Sequence, residues 1–188
     1  TAKYKGFSEG SIGVIASCFG LGLMLAGIFV STILNKIGLF KTMLVAITIQ
    51  TICVILMFIF FNPINLALNH FIMGIFGGMN WMTMDTWVNV VSDNKNRGKA
   101  IGLYNSAISI GFAIGPLFVG LYGVNGFFPI ILAISLMTIR TPVIIIIRKH
   151  VESVKIPKLE KKINFSFFKI APFVFLAIFI GGVNDTTF

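Results

Sequence analysis

The chain has 188 residues, of which 56% are hydrophobic and 11% are charged, and its mean hydropathy is +0.95. Because a soluble domain carries about 25% charged residues, this composition excludes a soluble protein and indicates an integral membrane protein. The formal net charge of +9 does not indicate nucleic-acid binding, since the basic residues are concentrated in alternate loops.

Five long apolar segments follow one another, each near or above the roughly 20 residues that cross a bilayer as a helix. They are 11–34, 41–61, 66–91, 100–122 and 127–147, and a sixth begins near Phe165. Helix-capping residues stand at 7–11, and turn residues stand at 62–63 and 123–126. We find no ten-residue segments with the apolar–polar alternation of barrel strands. The predicted fold class is therefore all-α integral membrane.

Basic residues occur on every second loop. Loops 35–41, 92–99 and 148–164 are basic, whereas the turns at 62–65 and 123–126 carry no charge. The positive-inside rule places the basic loops in the cytoplasm. We therefore expect a multi-pass protein of a bacterial cytoplasmic membrane, with the lipid bilayer as its surroundings and without a nucleic-acid partner.

The third segment contains the run MNWMTMDTWVN, with an aspartate at its centre. Asp85 lies about seven residues inside the segment, so a charged carboxylate there costs several kcal/mol unless it is paired, hydrated or protonated. Trp81, Asp85 and Asn89 share a helical face by their spacing, and Asn80 and Trp87 form a neighbouring stripe. This set suits a polar or cationic solute. The alternative for Trp87 is an interfacial anchor.

Arg140 is the other strongly charged residue well inside the five segments. It precedes Arg148 by eight residues, roughly 12 Å along a helix, which is similar to the depth of Asp85. We hypothesise that the two pair directly or share one hydrated cavity. The alternative is that Arg140 caps carbonyls freed near Pro142 and that Asp85 bonds nearby Thr or Asn side chains. Asp185 is a second acidic residue inside an apolar run.

The fourth segment contains GFAIGPLFVG, which places Gly111, Gly115 and Gly120 beside Pro116. Glycines four residues apart allow two membrane helices to approach closely, and proline bends the backbone. We therefore predict that these residues pack helices together. The same role is predicted in the first segment for Gly20, Gly22 and Gly27.

Three motifs resemble those of the major facilitator superfamily. STILNKIGLFK resembles its cytoplasmic loop motif Gly-x-x-x-Asp-Arg-x-Gly-Arg-Arg: Lys36 and Gly38 match, and Ser31 and Asn35 replace Gly and Asp. GFAIGPLFVG resembles the Gly-x-x-x-Gly-Pro motif of the fifth helix. DTWVN, followed by RGKAIGLYN with Arg97 first, is similar to a pattern in a poorly characterised bacterial branch of transporters, (Glu/Asp)-Ser-Trp-Leu-Asn and Arg-Gly.

The resemblance implies that the segments are helices two to six and the start of helix seven. The expected domains are a transmembrane bundle lacking its first helix (1–149), a basic cytoplasmic linker (150–164) and the start of a second bundle (165–188). The chain opens on Thr1 and ends at Phe188 inside an apolar run. We therefore expect five full transmembrane helices and part of a sixth, an incomplete N-terminal half of a longer protein.

The resemblance also implies alternating access, in which two bundles rock about a midplane site. It implies that Asp85 and Asp185 face the path that the solute takes between the bundles. We expect a secondary transporter of a small solute, monomeric when full length, with proton coupling through Asp85 as a hypothesis. In the family, the aspartate of the loop motif makes a charged contact with neighbouring helices. Because Asn35 stands at that position, we expect this contact to be weaker here. We expect no enzyme activity, cofactor or metal site. The alternatives are a non-transporting receptor or scaffold on the same fold, and a membrane-embedded enzyme, for which two His and six acids form no cluster in the sequence.

Overall fold

The computed structural model describes residues 7–123 and 128–154. These residues form helices and turns, with no strand among them. The helices are α1 (Glu9–Ile59), α2 (Pro63–Val91), α3 (Arg97–Tyr122), α4 (Phe128–Ile146) and α5 (Arg148–Glu152). Helices thus overlap all five predicted segments, whereas the predicted sixth lies outside the described residues.

α1 contains two of the predicted segments, joined at a bend. Gly38 has φ 81° and ψ 170°, so the bend separates a first half, 9–37, from a second half, 39–59. A residue with a Cβ is strained at such a positive φ, and glycine is not. The Thr42 hydroxyl donates to the Gly38 carbonyl at 2.7 Å. The predicted break between the first two segments is therefore confirmed, although it is one glycine rather than a loop.

The helix starts follow the capping residues in the sequence. The Ser8 side chain accepts a hydrogen bond from the Ser11 amide at 3.2 Å. The Asn62 side chain accepts one from the Asn65 amide at 2.8 Å, and Pro63 occupies the first turn of α2. Each side chain satisfies an amide that has no partner within the helix. The cap predicted at 7–11 is confirmed, and the turn predicted at 62–63 also supplies the cap of α2.

The first half of α1 packs against α2 through small residues. A Cβ added at Gly22 or Gly74 would collide with backbone atoms of the opposite helix. A Cβ at Gly78 would lie 2.7 Å from Leu23 Cδ1 and 2.8 Å from Ala26 Cβ. Two small-xxx-small pairs, Gly22/Ala26 and Gly74/Gly78, thus face each other and let the helix axes approach closely. The packing role predicted for Gly22 is confirmed.

A cluster of buried apolar side chains holds the bend, α4 and α5 together. Its members are Leu34, Leu39, Phe40, Met43, Ile47, Ile144 and Val151. Val151 is only 1% exposed, which shows that α5 is seated on the cluster. Arg148 lies over the Phe40 ring, 5.2 Å from its centre, and pairs with Glu152 at 2.9 Å. The first residues of the predicted linker 150–164 are therefore helical and packed.

Two of the described helices, α1 and α3, are long and apolar enough to cross a membrane. Ile131–Ile146 in α4 is a shorter apolar stretch. α2 carries more polar side chains, including Asn, Thr and Asp residues along its length. Membrane crossing by α2 and α4 stays a prediction.

Candidate functional site

α2 carries its candidate residues on two opposite faces. Successive residues of an α-helix are rotated by about 100°, so Trp87 lies about 200° around the helix from Asp85. We define the Asp85 face by Trp81, Asp85 and Asn89, and the Asn80 face by Asn80 and Trp87. The two stripes are therefore not neighbours as predicted, because two residues carry the chain more than halfway around the helix.

The Asp85 face remains partly accessible in the structure. Trp81 is 49% exposed, Asn89 is exposed and Asp85 is half-buried. The Asn89 side-chain amide donates to the Asp85 backbone carbonyl at 2.8 Å, so it bonds the helix backbone and not the carboxylate. Asn89 therefore does not form the hydrogen bond to the Asp85 carboxylate that is the alternative to a pair with Arg140.

Tyr104 of α3 is the polar neighbour of the Asp85 carboxylate. The two side chains lie near enough to each other, across the gap between α2 and α3, to interact electrostatically. Tyr104 is not among the residues predicted from sequence. A signal was present, since RGKAIGLYN follows DTWVN after a short loop, which returns the chain to the same end of α2. The neighbour of the carboxylate is therefore a phenol, which carries no positive charge.

Arg140 does not pair with Asp85. Its Nη1 donates to Gln50 Oε1 at 3.4 Å and contacts Met137 Sδ at 3.3 Å. The predicted direct pair is therefore wrong, because α4 packs on α1 whereas Asp85 meets α3. In the described part of the chain, Arg140 also makes no bond to the carbonyls near Pro142, so that alternative is not seen either.

Gln50 connects three helical segments. It is 5% exposed, and its Nε2 donates to the Phe76 carbonyl of α2 at 3.0 Å. Its Oε1 accepts the bond from Arg140, which is long for a hydrogen bond at 3.4 Å. Gln50 is also missing from the predicted residues, although a single amide inside the apolar run AITIQTICV is the signal that could have identified it. The second half of α1, α2 and α4 therefore meet at one polar side chain.

The Asn80 face is half-buried, and two of its polar atoms have no hydrogen bond among the described residues. Asn80 Oδ1 and Trp87 Nε1 are both buried, and neither has a hydrogen-bond partner among the described residues. The Trp87 ring packs against the apolar cluster at the bend. The ring thus contacts other parts of the protein, and the alternative of Trp87 as an interfacial anchor stays a prediction.

The predicted loop motif surrounds the bend of α1. Gly38 forms the bend, Asn35 and Lys36 are exposed, and Ser31 is half-buried one turn earlier in the helix. A cleft of about 330 Å³ separates this bend from α5. Arg97 is exposed at the first residue of α3. The structure therefore brings the bend and α5 together, and the gating role of these residues stays a prediction.

The glycines of α3 face open space. A Cβ at Gly111, Gly115 or Gly120 would meet no atom within 4 Å, and α3 contains no buried residue in the described structure. Pro116 lies inside the helix. The predicted packing role of these residues has no partner within the described ranges and stays a prediction. Asp185 lies outside those ranges.

Two comparisons with known proteins identify the family. The family model described as Major Facilitator Superfamily matches residues 1–188. The chain is also 30% identical over 130 residues to an uncharacterized MFS-type transporter, YfkF, of Bacillus subtilis (strain 168). That match covers 69% of this chain and 33% of the relative, so the chain spans about a third of the relative's length. The helical structure of the described residues agrees with these matches, and the chain belongs to the major facilitator superfamily of membrane transport proteins.

Proposed function

We propose that this chain is part of a secondary transporter that moves a small solute across the cell membrane by alternating access. We also propose that Asp85 couples this movement to protons. Family membership supports transport in general. The position of Asp85 in α2 supports its assignment to the path, because ionisable groups inside membrane segments mark solute and proton pathways.

The observation that carries the proposal is the surroundings of the Asp85 carboxylate. Asp85 is half-buried and interacts with the neutral Tyr104 phenol, whereas Arg140 is bonded to Gln50. In the described ranges, no Lys or Arg side chain forms an ion pair with Asp85. Carboxylates inside membrane segments commonly serve proton pathways, and this supports the proposed coupling role of Asp85.

Alternating access requires two packings of similar energy, between which solute or proton binding selects. We propose that the bend residues Ser31, Asn35, Lys36 and Gly38, together with Arg97, close the cytoplasmic side in one of these packings. Trp81 and Asn89 on the Asp85 face line the path beside the carboxylate, and Asn80, Trp87 and Asp185 contribute to it from other positions.

The test replaces Asp85 in the full-length protein. Asp85→Asn keeps the shape and removes the titrating group, so solute-driven proton movement into proteoliposomes should be lost while membrane insertion is retained. A pH-sensitive dye inside the vesicles measures proton movement for a panel of neutral, cationic and anionic solutes. Asp93→Asn is the matched control, because Asp93 is exposed in the loop after α2, and it should transport normally.

Unchanged proton-coupled transport by Asp85→Asn would rule out the coupling role. Absence of flux for every solute tested in the wild-type protein would favour the alternative of a receptor or scaffold on the same fold.

A further inference from the structure

We propose that Arg140 binds an anionic group of the solute, and that the solute class is small organic carboxylates. This inference rests on the proposed transport function and specifies its substrate. It replaces the polar or cationic solute that the aromatic residues near Asp85 suggest from sequence.

The first step is the charge of Arg140. Between residues 39 and 146, the acidic residues are Asp85 and Asp93, and Asp93 stands in a loop. Asp85 interacts with Tyr104, and Arg140 forms no ion pair with any carboxylate in the described ranges. Arg140 is half-buried and stays charged under all ordinary conditions. A guanidinium in this position therefore has a charge that an anion can compensate.

The second step is the geometry of the guanidinium. Its two contacts, to Gln50 Oε1 and to Met137 Sδ, both use Nη1. The edge formed by Nε and Nη2 has no hydrogen-bond partner in 7–123 or 128–154, and its atoms are not among the enclosed polar atoms without partners. Two parallel N–H groups on one edge of arginine match the two oxygens of a carboxylate. Arg140 thus presents an accessible fork of the shape that a carboxylate requires.

The third step is the support around that fork. Gln50 holds Nη1 from one side and is itself fixed to the Phe76 carbonyl. In an α-helix the amide of residue 80 donates to the carbonyl of residue 76, so the backbone of Asn80 lies beside Gln50. Asn80 Oδ1 is enclosed there without a hydrogen-bond partner among the described residues, so this side of Gln50 faces the protein interior and the open edge of Arg140 faces away from it. Gln50 therefore fixes one nitrogen of the guanidinium and leaves the other edge of Arg140 for an anion.

The test measures binding to the purified full-length protein in phospholipid-free dodecyl maltoside micelles. The probes are small monocarboxylates and dicarboxylates, each compared with its neutral primary amide, together with inorganic phosphate. Wild-type protein should bind at least one carboxylate about 10- to 100-fold more tightly than its amide, the range expected for hydrogen bonds to a charged group. Arg140→Gln should abolish that preference, and Arg140→Lys should retain part of it because lysine keeps the charge and loses the fork.

The control variant is Lys95→Gln, which removes one positive charge from an exposed loop position and should bind as wild type. If Arg140→Gln does not fold, Arg140→Lys decides the question alone. Carboxylate preference at wild-type strength in either Arg140 variant would overturn the inference. So would stabilisation by added anionic phospholipid with no binding of any free carboxylate, since Arg140 would then hold a lipid headgroup.

The two proposals fail separately. Flux of neutral or cationic solutes in proteoliposomes, without carboxylate binding in micelles, would keep the transport function and reject the anionic substrate. Carboxylate binding that depends on Arg140, without flux of any solute, would keep the site and reject transport.

Discussion

The two faces of α2 differ in how their polar groups are accommodated. On the Asn80 face, Trp87 packs into the apolar cluster and Asn80 lies beside the link from Gln50 to Phe76. On the Asp85 face, Trp81 is 49% exposed, and the carboxylate lies near a phenol of α3, a helix without buried residues in the described structure. The difference indicates that one face packs α2 against the rest of the described helices, while the other face stays partly open around the Asp85 carboxylate.

The largest expected difference between the faces concerns the two tryptophans. Trp87→Ala removes a ring from the apolar cluster and should lower the free energy of unfolding by about 3 kcal/mol. Trp81→Ala removes a ring that is 49% exposed and should cost about 1 kcal/mol or less. Unfolding in detergent, followed by tryptophan fluorescence and circular dichroism, measures both. Equal losses would contradict the assignment of different roles to the two faces.

A smaller effect is expected where Gln50 links the helices. Gln50→Leu removes the bond to the Phe76 carbonyl and leaves Arg140 Nη1 without its oxygen partner, so stability should fall by about 1–2 kcal/mol. Thr51→Val is the matched control, because the Thr51 hydroxyl donates only to the Ile47 carbonyl of its own helix, at 2.9 Å. A double-mutant cycle with Arg140→Met should show a coupling of about 0.5–1 kcal/mol. Additive losses would show that the Gln50–Arg140 contact is not energetically important.

The smallest effect distinguishes two asparagines. Asn80→Leu removes a buried acceptor that has no partner in the described structure, so stability should rise by about 1 kcal/mol. Asn89 is exposed and bonds its own helix, so Asn89→Leu should change stability by less than about 0.5 kcal/mol. A destabilised Asn80→Leu would mean that its side chain is satisfied in the protein.

The local features of the fold could be predicted from sequence. Hydrophobic length locates the helical segments, and Ser8, Asn62 and Pro63 indicate where helices begin, because capping depends on neighbouring residues alone. Gly38 could be recognised as a break because it stands in a basic loop between two apolar runs. That it would be the single residue of the break was not predictable from these signals.

The contacts between helices were harder to predict. Depth along a helix follows from counting residues, and Asp85 and Arg140 do have similar predicted depths. The direction in which each side chain points depends on how the helices pack against each other. The number of residues along a helix does not give this direction. Arg140 therefore meets Gln50 rather than Asp85, and Tyr104 becomes the neighbour of the carboxylate. Single polar residues in apolar runs, such as Gln50, are the better guide to such contacts.

The bend at Gly38 also determines how force passes between two parts of the molecule. Because a single residue joins the two halves of α1, the connection cannot lengthen. A movement of 9–37 along its axis therefore also displaces 39–59. A flexible insertion after Gly38 would uncouple them without removing any side chain. The same insertion in the turn at 92–96, which already separates α2 from α3, would leave this mechanical link intact.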